Sequence, residues 1–245
     1  MINYIILGIV QGIFEWLPIS SEGITSLLSN FLIKDFHPID LALFLHLGTL
    51  LAAIIYFRKD LIEILKFKNK ELLRFLIIST IISLAISYPL YKVIKSFVFG
   101  NGLLLLMGFG LLGTAYAYKR KSKFNIKSSN LALIVGSLQG LAVIPGLSRS
   151  GSTIFGLSLS KTKPEEILKI SYLMSIPVVL ASSLYLFLQE PTLMSESWPA
   201  LVSSFLIGIL TLHFLINWAK KINFFKFALI FSFICFLGAI IGFIF

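Results

Sequence analysis

Two short polar stretches interrupt this chain, and each is a near copy of the other. The first runs Gly8-Ile9-Val10-Gln11-Gly12, then Pro18, Ser20, Ser21 and Gly23; the second runs Gly136-Ser137-Leu138-Gln139-Gly140, then Pro145, Ser148, Ser150 and Gly151. They align with one single-residue gap. Long apolar runs surround both. A backbone in hydrocarbon has no water to bond, so such a chain folds as helices, and a break at membrane depth survives only where protein or a water-filled cavity encloses it. Each stretch also carries one ion, Glu15 in the first and Arg149 in the second. A carboxylate and a guanidinium at that depth are expensive and point to function.

The chain is 57% hydrophobic and 13% charged, with mean hydropathy +0.94. A soluble domain cannot hide that much apolar surface. The expectation is an all-α polytopic membrane protein, with residues 1–245 forming a single transmembrane domain. The net charge of +10 is not a nucleic-acid signal, because the basic residues sit in short loops between apolar runs, where juxtamembrane cations belong. Cys235 is the single cysteine, so no internal disulfide forms and the redox compartment stays open. The N-terminal residues lack the basic start and small-residue cleavage site of a signal peptide.

Six runs are long enough to cross a bilayer, near Asp40–Phe57, Phe75–Tyr91, Gly102–Tyr118, Leu168–Leu188, Pro199–Ala219 and Phe225–Phe245. Residues 3–34 and 131–160 differ. Each reads as two apolar helical pieces of roughly 13 residues, about 20 Å long, too short to span alone. Pro18 ends the first piece of one pair, and Pro145-Gly146 ends the first piece of the other. Each pair is either a re-entrant hairpin or one kinked span.

Charge decides between them. Basic clusters follow Phe57 (Arg58, Lys59, Lys66, Lys68, Lys70, Arg74) and Tyr118 (Lys119, Arg120, Lys121, Lys123, Lys127). Lys161, Lys163 and Lys169 form a third, and Lys220, Lys221 and Lys226 a fourth, with the acidic Glu190 and Glu196 between them. If 131–160 dips in and returns, all four basic clusters share the cytoplasmic side; only Lys92 and Lys95 offend. Each half is then one re-entrant hairpin plus three spans. Three is odd, so repeats of about 1–118 and 128–245 enter from opposite faces, an inverted-topology repeat with hairpin tips meeting near the midplane.

Ser20 and Ser21 precede one helical run, and Ser148 and Ser150 precede another. Alone, such serines read as helix caps. Arg149 beside them suggests an anion site, because a guanidinium, hydroxyls and free helix N–H groups together suit phosphate. Gly146 and Gly151 allow close backbone approach. The competing reading is a purely structural Arg149–Glu15 salt bridge. Gln11 and Glu15, four apart, share a helix face. Glu15 can act as general base, as divalent-cation ligand, or both; Gln11 can bond but cannot act as a base. Glu22 reads as a first-turn acid complementing the helix dipole, and His46 as a packed histidine on an apolar span.

At these residues the sequence resembles the bacitracin-resistance type undecaprenyl-diphosphate phosphatases. The matching stretches are Gln11-Gly12-Ile13-Phe14-Glu15-Trp16-Leu17-Pro18-Ile19-Ser20-Ser21-Glu22-Gly23 and Pro145-Gly146-Leu147-Ser148-Arg149-Ser150-Gly151-Ser152-Thr153, with weaker echoes at His46–Ala52 and Ser175-Ile176-Pro177. The resemblance implies hydrolysis of a polyprenyl diphosphate to the monophosphate and inorganic phosphate in the cell membrane, assisted by Mg²⁺ or Ca²⁺, with a homodimer compatible. It implies interlocked inverted repeats with two re-entrant hairpins. It implies catalytic roles for Glu15, Ser21 and Arg149, substrate binding by Gln11, Ser20, Gly146, Ser148, Ser150 and Gly151, and a metal on Glu15. Two positions depart from the family pattern: Gln11 stands where an acid is usual, and Ile24 where a histidine is usual. The rival expectation is a polyprenyl-phosphate flippase of the same fold.

Overall fold

The computed structural model describes residues 1–17, 20–97, 105, 108–110, 112–113, 115–116, 128–158, 160, 164–219, 229–230, 232–233, 236–237 and 240. Pro18, Cys235, the basic clusters at 119–127, 161–163 and 220–226, and most of the expected spans Gly102–Tyr118 and Phe225–Phe245 lie outside these residues.

The elements described in full are all helical. They are α1 (Ile2–Phe14), α2 (Ser21–Leu32), α3 (Pro38–Tyr56), α4 (Arg58–Leu65), α5 (Lys70–Phe97), α6 (Ser128–Leu141), α7 (Arg149–Ser158), α8 (Pro164–Gln189) and α9 (Pro191–Ala219). Among the described residues, four helices are long and apolar enough to cross a membrane: α3, α5, α8 and α9. The pairs α1–α2 and α6–α7 are the short pieces expected from sequence, each too short to span. α1 ends at Phe14, before the proline expected to stop it. Proline does occur inside the long helices, at Pro89, Pro177 and Pro199, where neighbouring helices can satisfy the freed carbonyls.

Glycine sets the closest helix contacts. A Cβ on Gly8 would stand 2.2 Å from the Ala200 carbonyl oxygen, and one on Gly12 2.9 Å from the Gly208 nitrogen, so α1 lies backbone to backbone on α9. On α6, a Cβ at Gly136 would stand 2.7 Å from the Ser79 carbonyl oxygen and one at Gly140 2.8 Å from that of Ser83, so α6 lies the same way on α5. These are small-xxx-small contacts, the packing that holds helices together when burial from water gives no drive. Hydrogen bonds support them. Thr211 Oγ1 donates to the Gly12 carbonyl at 2.8 Å, and Trp16 Nε1 to that of Gly208 at 3.1 Å. Such bonds average about 0.6 kcal/mol in membranes, so close packing carries more of the stability.

The contacts fix relative directions. Gly8 meets Ala200 and Gly12 meets Gly208, so α1 and α9 run the same way; Gly48 meets Leu201 and Ala52 meets Gly208, so α3 joins them. Gly136–Ser79 and Gly140–Ser83 make α6 parallel to α5. Tyr88 and Tyr91 both meet Tyr185 edge-on, while Leu76 shares a core with Leu173, so α8 runs with α5. Phe57 stacks on Tyr172, and Leu45 shares a core with Leu186, so α3 and α8 are antiparallel. Lys169 on α8 pairs with Asp60 on α4, placing the start of α8 beside the basic end of α5. At the other end of α5, Lys95 is neutralised by buried Asp40, which also accepts from Tyr91 Oη at 2.6 Å. This pairing accounts for one of the two lysines that offended the charge rule.

Candidate active site

Glu15 is the first residue beyond α1, and its carboxylate is the hub of the tip cluster. Gln11, one turn earlier, donates from Nε2 to Oε2 at 2.7 Å, as the i, i+4 spacing allows. Ser21 Oγ, in the first turn of α2, donates to the same oxygen at 2.7 Å. The other oxygen, Oε1, pairs with Arg149 Nη2 from the start of α7. The acid and the cation of the two repeated stretches therefore meet directly.

The serines divide their work in the same way in both stretches. Ser20 caps α2, accepting from the Gly23 N–H at 3.0 Å; Ser148 caps α7, accepting from the Gly151 N–H at 3.0 Å. The second serine of each pair turns elsewhere, Ser21 to Glu15 and Ser150 Oγ to the Leu17 carbonyl at 2.9 Å. The tips are also joined by the Gly146 N–H, which donates to Ser20 Oγ at 3.2 Å. Gly146 has φ 96°, a conformation that favours glycine. Tyr172 Oη donates to the Trp16 carbonyl at 2.5 Å and locks the first tip to α8. Gln11, Glu15, Ser20, Ser21, Gly146, Ser148, Arg149, Ser150 and Gly151 thus lie in one cluster.

Three polar residues were not foreseen in this role. His46 on α3 brings Nε2 to 3.1 Å from Glu15 Oε2. Its Nδ1 lies 2.8 Å from the Ala42 carbonyl, which can only accept, so Nδ1 carries a hydrogen. His46 is packed and hydrogen-bonded, as expected, yet it also touches the central acid. Glu22, read as a dipole partner, is 8% exposed, and its Oε1 has no partner. Gln139, 3% exposed, donates weakly to the Met174 carbonyl, while its Oε1 has no partner. One signal for Gln139 was present in the chain: it is the repeat counterpart of Gln11.

Glu22, His46, Gln139 and Arg149 line one cavity of about 510 Å³. Its remaining lining comes from α3, α5, α8 and the α6–α7 turn and is mostly apolar, including Leu43, Leu84, Val179 and Leu186, with Tyr88, Tyr91 and Tyr185 among it. An apolar chamber with a few convergent polar groups is the form of a site for an amphiphile. Arg149 Nη1 is buried without a partner, so the guanidinium keeps a donor in reserve.

The fit to a divalent cation can be judged from the oxygens. Glu15 has both oxygens engaged. Gln11 Oε1, Glu22 Oε1 and Gln139 Oε1 are buried acceptors without donors, the kind of ligand Mg²⁺ and Ca²⁺ take. Among the described residues, no three His, Cys, Asp or Glu side chains gather as a metal cage. A cation here would therefore need oxygens from substrate or water.

Residues 4–240 match the family described as Bacitracin resistance protein BacA. A protein of Methanococcoides burtonii named undecaprenyl-diphosphatase is 36% identical, covering 90% of this chain and 91% of its own length. One of Thermosipho africanus with the same name is 38% identical over 98% of each chain. A third, of Sulfurisphaera tokodaii, is 34% identical over 91% of each. With the acid and the guanidinium joined at the end of an apolar cavity and the match running nearly end to end, this chain belongs to the bacitracin resistance protein BacA family.

Proposed function

We infer that the chain is an integral membrane phosphatase that hydrolyses undecaprenyl diphosphate, or a polyprenyl diphosphate like it, to the monophosphate and inorganic phosphate. The three relatives carry that activity as their name. The single observation that carries the reading within the molecule is the shared carboxylate: Glu15 takes the Ser21 hydroxyl on one oxygen and the Arg149 guanidinium on the other.

In this reading the isoprenoid lies along the apolar lining and the diphosphate reaches the polar end. Arg149 meets a phosphate oxygen with Nη1 while Nη2 stays near Glu15. Glu15 accepts the proton of Ser21 Oγ as that oxygen attacks the terminal phosphorus in line and the monophosphate leaves. A water, deprotonated by Glu15 once that proton has been passed on, then attacks the phosphoserine, breaks its Oγ–P bond and releases inorganic phosphate; or a water takes the place of Ser21 and releases phosphate in one step. Ser21 is favoured because its hydroxyl already donates to the carboxylate. Positioning and charge neutralisation supply most of the rate in phosphoryl transfer. Gln11 and His46 orient Glu15; Ser20, Ser150 and Gly146 hold the two tips together, and Ser148 caps α7 through the Gly151 N–H. A divalent cation, when bound, supplies further neutralisation of the diphosphate.

The architecture proposed with it is an inverted-topology repeat, about 1–118 and 128–245, in one transmembrane domain of the plasma membrane. Several contacts support this. α1 packs on α9 as α6 packs on α5, and the counterparts α3 and α8 run in opposite directions. The close backbone contacts also favour fixed halves over the rocking a transporter needs.

The test is phosphate release from undecaprenyl diphosphate by purified protein in detergent, with and without Mg²⁺, for the native chain and Ser21→Ala. Release that falls at least about a hundredfold in the variant is expected for a serine nucleophile. Headgroup movement across vesicles without release of phosphate selects the flippase instead.

A further inference from the structure

Charge at the cavity end does not balance. Arg149 and Glu15 neutralise each other, and His46 is turned to Glu15. Glu22 lines the same cavity as Arg149 and His46, is 8% exposed, and takes part in none of the described ion pairs. Its Oε1 lacks any hydrogen-bond donor. A buried carboxylate in that condition is costly and is resolved by a proton or by a cation. Gln139 lines the same cavity, also with an unpartnered, fully buried amide oxygen. Two oxygen acceptors with no donor, one of them anionic, are a poor seat for a phosphate and a good one for a hard cation. Gln11 has an unpartnered oxygen too, but does not line the cavity.

We infer that Glu22 and Gln139, not Glu15, form the protein half of a divalent-cation site at the polar end of the cavity. The other half is the diphosphate, so the inference rests on the phosphatase reading for its remaining ligands. Mg²⁺ is commonly held by one carboxylate with substrate phosphate oxygens and water completing an octahedron. With a cation held by Glu22 and Gln139, Glu15 would stay available to receive a proton, and Arg149 would share the phosphate charge with the cation. One hairpin supplies each ligand, Glu22 from α2 and Gln139 from α6. A cation held by both would link the two tips, as the Arg149–Glu15 pair does.

The experiment is Mn²⁺ binding to purified full-length protein in detergent, read by loss of the free-ion paramagnetic resonance signal, with a methylene-bridged analogue of farnesyl diphosphate present. Phosphate release against Mg²⁺ concentration is measured in parallel. One bound Mn²⁺ is expected in the native chain. Glu22→Gln should weaken it at least tenfold and raise the Mg²⁺ concentration for half-maximal release by a similar factor. Gln139→Leu should weaken it severalfold, and Glu15→Gln should bind Mn²⁺ within about twofold of native while releasing little phosphate. Native-like Mn²⁺ binding in both Glu22→Gln and Gln139→Leu overturns the site, as does loss of binding in Glu15→Gln alone. Elution of each variant at the native position in size-exclusion chromatography separates lost ligands from lost fold. If the native chain releases no phosphate, the phosphatase reading fails; if it does and both Glu22→Gln and Gln139→Leu bind Mn²⁺ normally, only the cation seat fails.

Discussion

The two hairpin tips are the same device carrying opposite charge. Both present a capping serine followed by one that reaches out: Ser20 and Ser21 in the first, Ser148 and Ser150 in the second. Both descend from a glycine-striped helix laid on a full-length span. They diverge at the reaching serine. Ser21 donates to a carboxylate, whereas Ser150 donates to a backbone carbonyl of the other tip. A hydroxyl beside a base can be made nucleophilic; one bonded to an amide carbonyl cannot. In the proposed function the first tip is the reacting half and the second the gripping half, with similar capping beneath both.

The harshest way to break this comparison is to exchange the ions. Glu15→Arg combined with Arg149→Glu preserves a buried pair and the net charge, but takes the base from Ser21. Phosphate release should fall at least about a thousandfold, and a double variant that keeps a tenth of native turnover would show that only charge pairing matters. Next in size is Arg149→Lys. It keeps the charge but loses the fork that bonds Glu15 through one nitrogen and leaves another for phosphate, and kcat/KM should drop about a hundredfold.

A smaller effect separates orientation from packing at His46. His46→Leu should lower kcat about tenfold with KM changed less, since it frees the acid while adding only apolar surface to the cavity that His46 lines. His46→Gln, which can still place an N–H near Glu15, should recover most of the rate; equal losses in both would reduce the histidine to filler. The smallest expected change tests the caps. Ser20→Ala and Ser148→Ala should each lower stability by about 1 kcal/mol in thermal unfolding, with Ser20→Ala worse because it also frees the Gly146 N–H.

What could be read along the chain was whatever depends on near neighbours. Gln11 and Glu15 lie one helical turn apart, and their bond follows from spacing. Ser20 and Ser148 precede helices, and capping follows from position. The lengths of the hairpin pieces follow from where polarity interrupts them. The meeting of Glu15 with Arg149 was reachable too, through the repeat and its charge parity. His46 was not. Nothing near it on α3 is polar enough to distinguish it from a packed histidine, and its role arises only because α3 passes beside the first tip. Glu22 was placed correctly in its helix but not in space, since a first-turn acid looks the same whether it meets water or a closed cavity. Tyr172 gave no sign at all of its bond to Trp16.

The pairing of Arg149 with Glu15 has a consequence for life in a bilayer. Every neighbouring phospholipid offers a phosphate, and an open guanidinium would be occupied permanently by the commonest of them. A carboxylate already in place sets a threshold for entry. A phosphodiester brings a single negative charge and gains little by displacing it, whereas a terminal diphosphate brings more charge and more oxygens to the same cation. On the proposed function, the rare lipid would thereby be picked out from a crowd of abundant ones before any bond is broken.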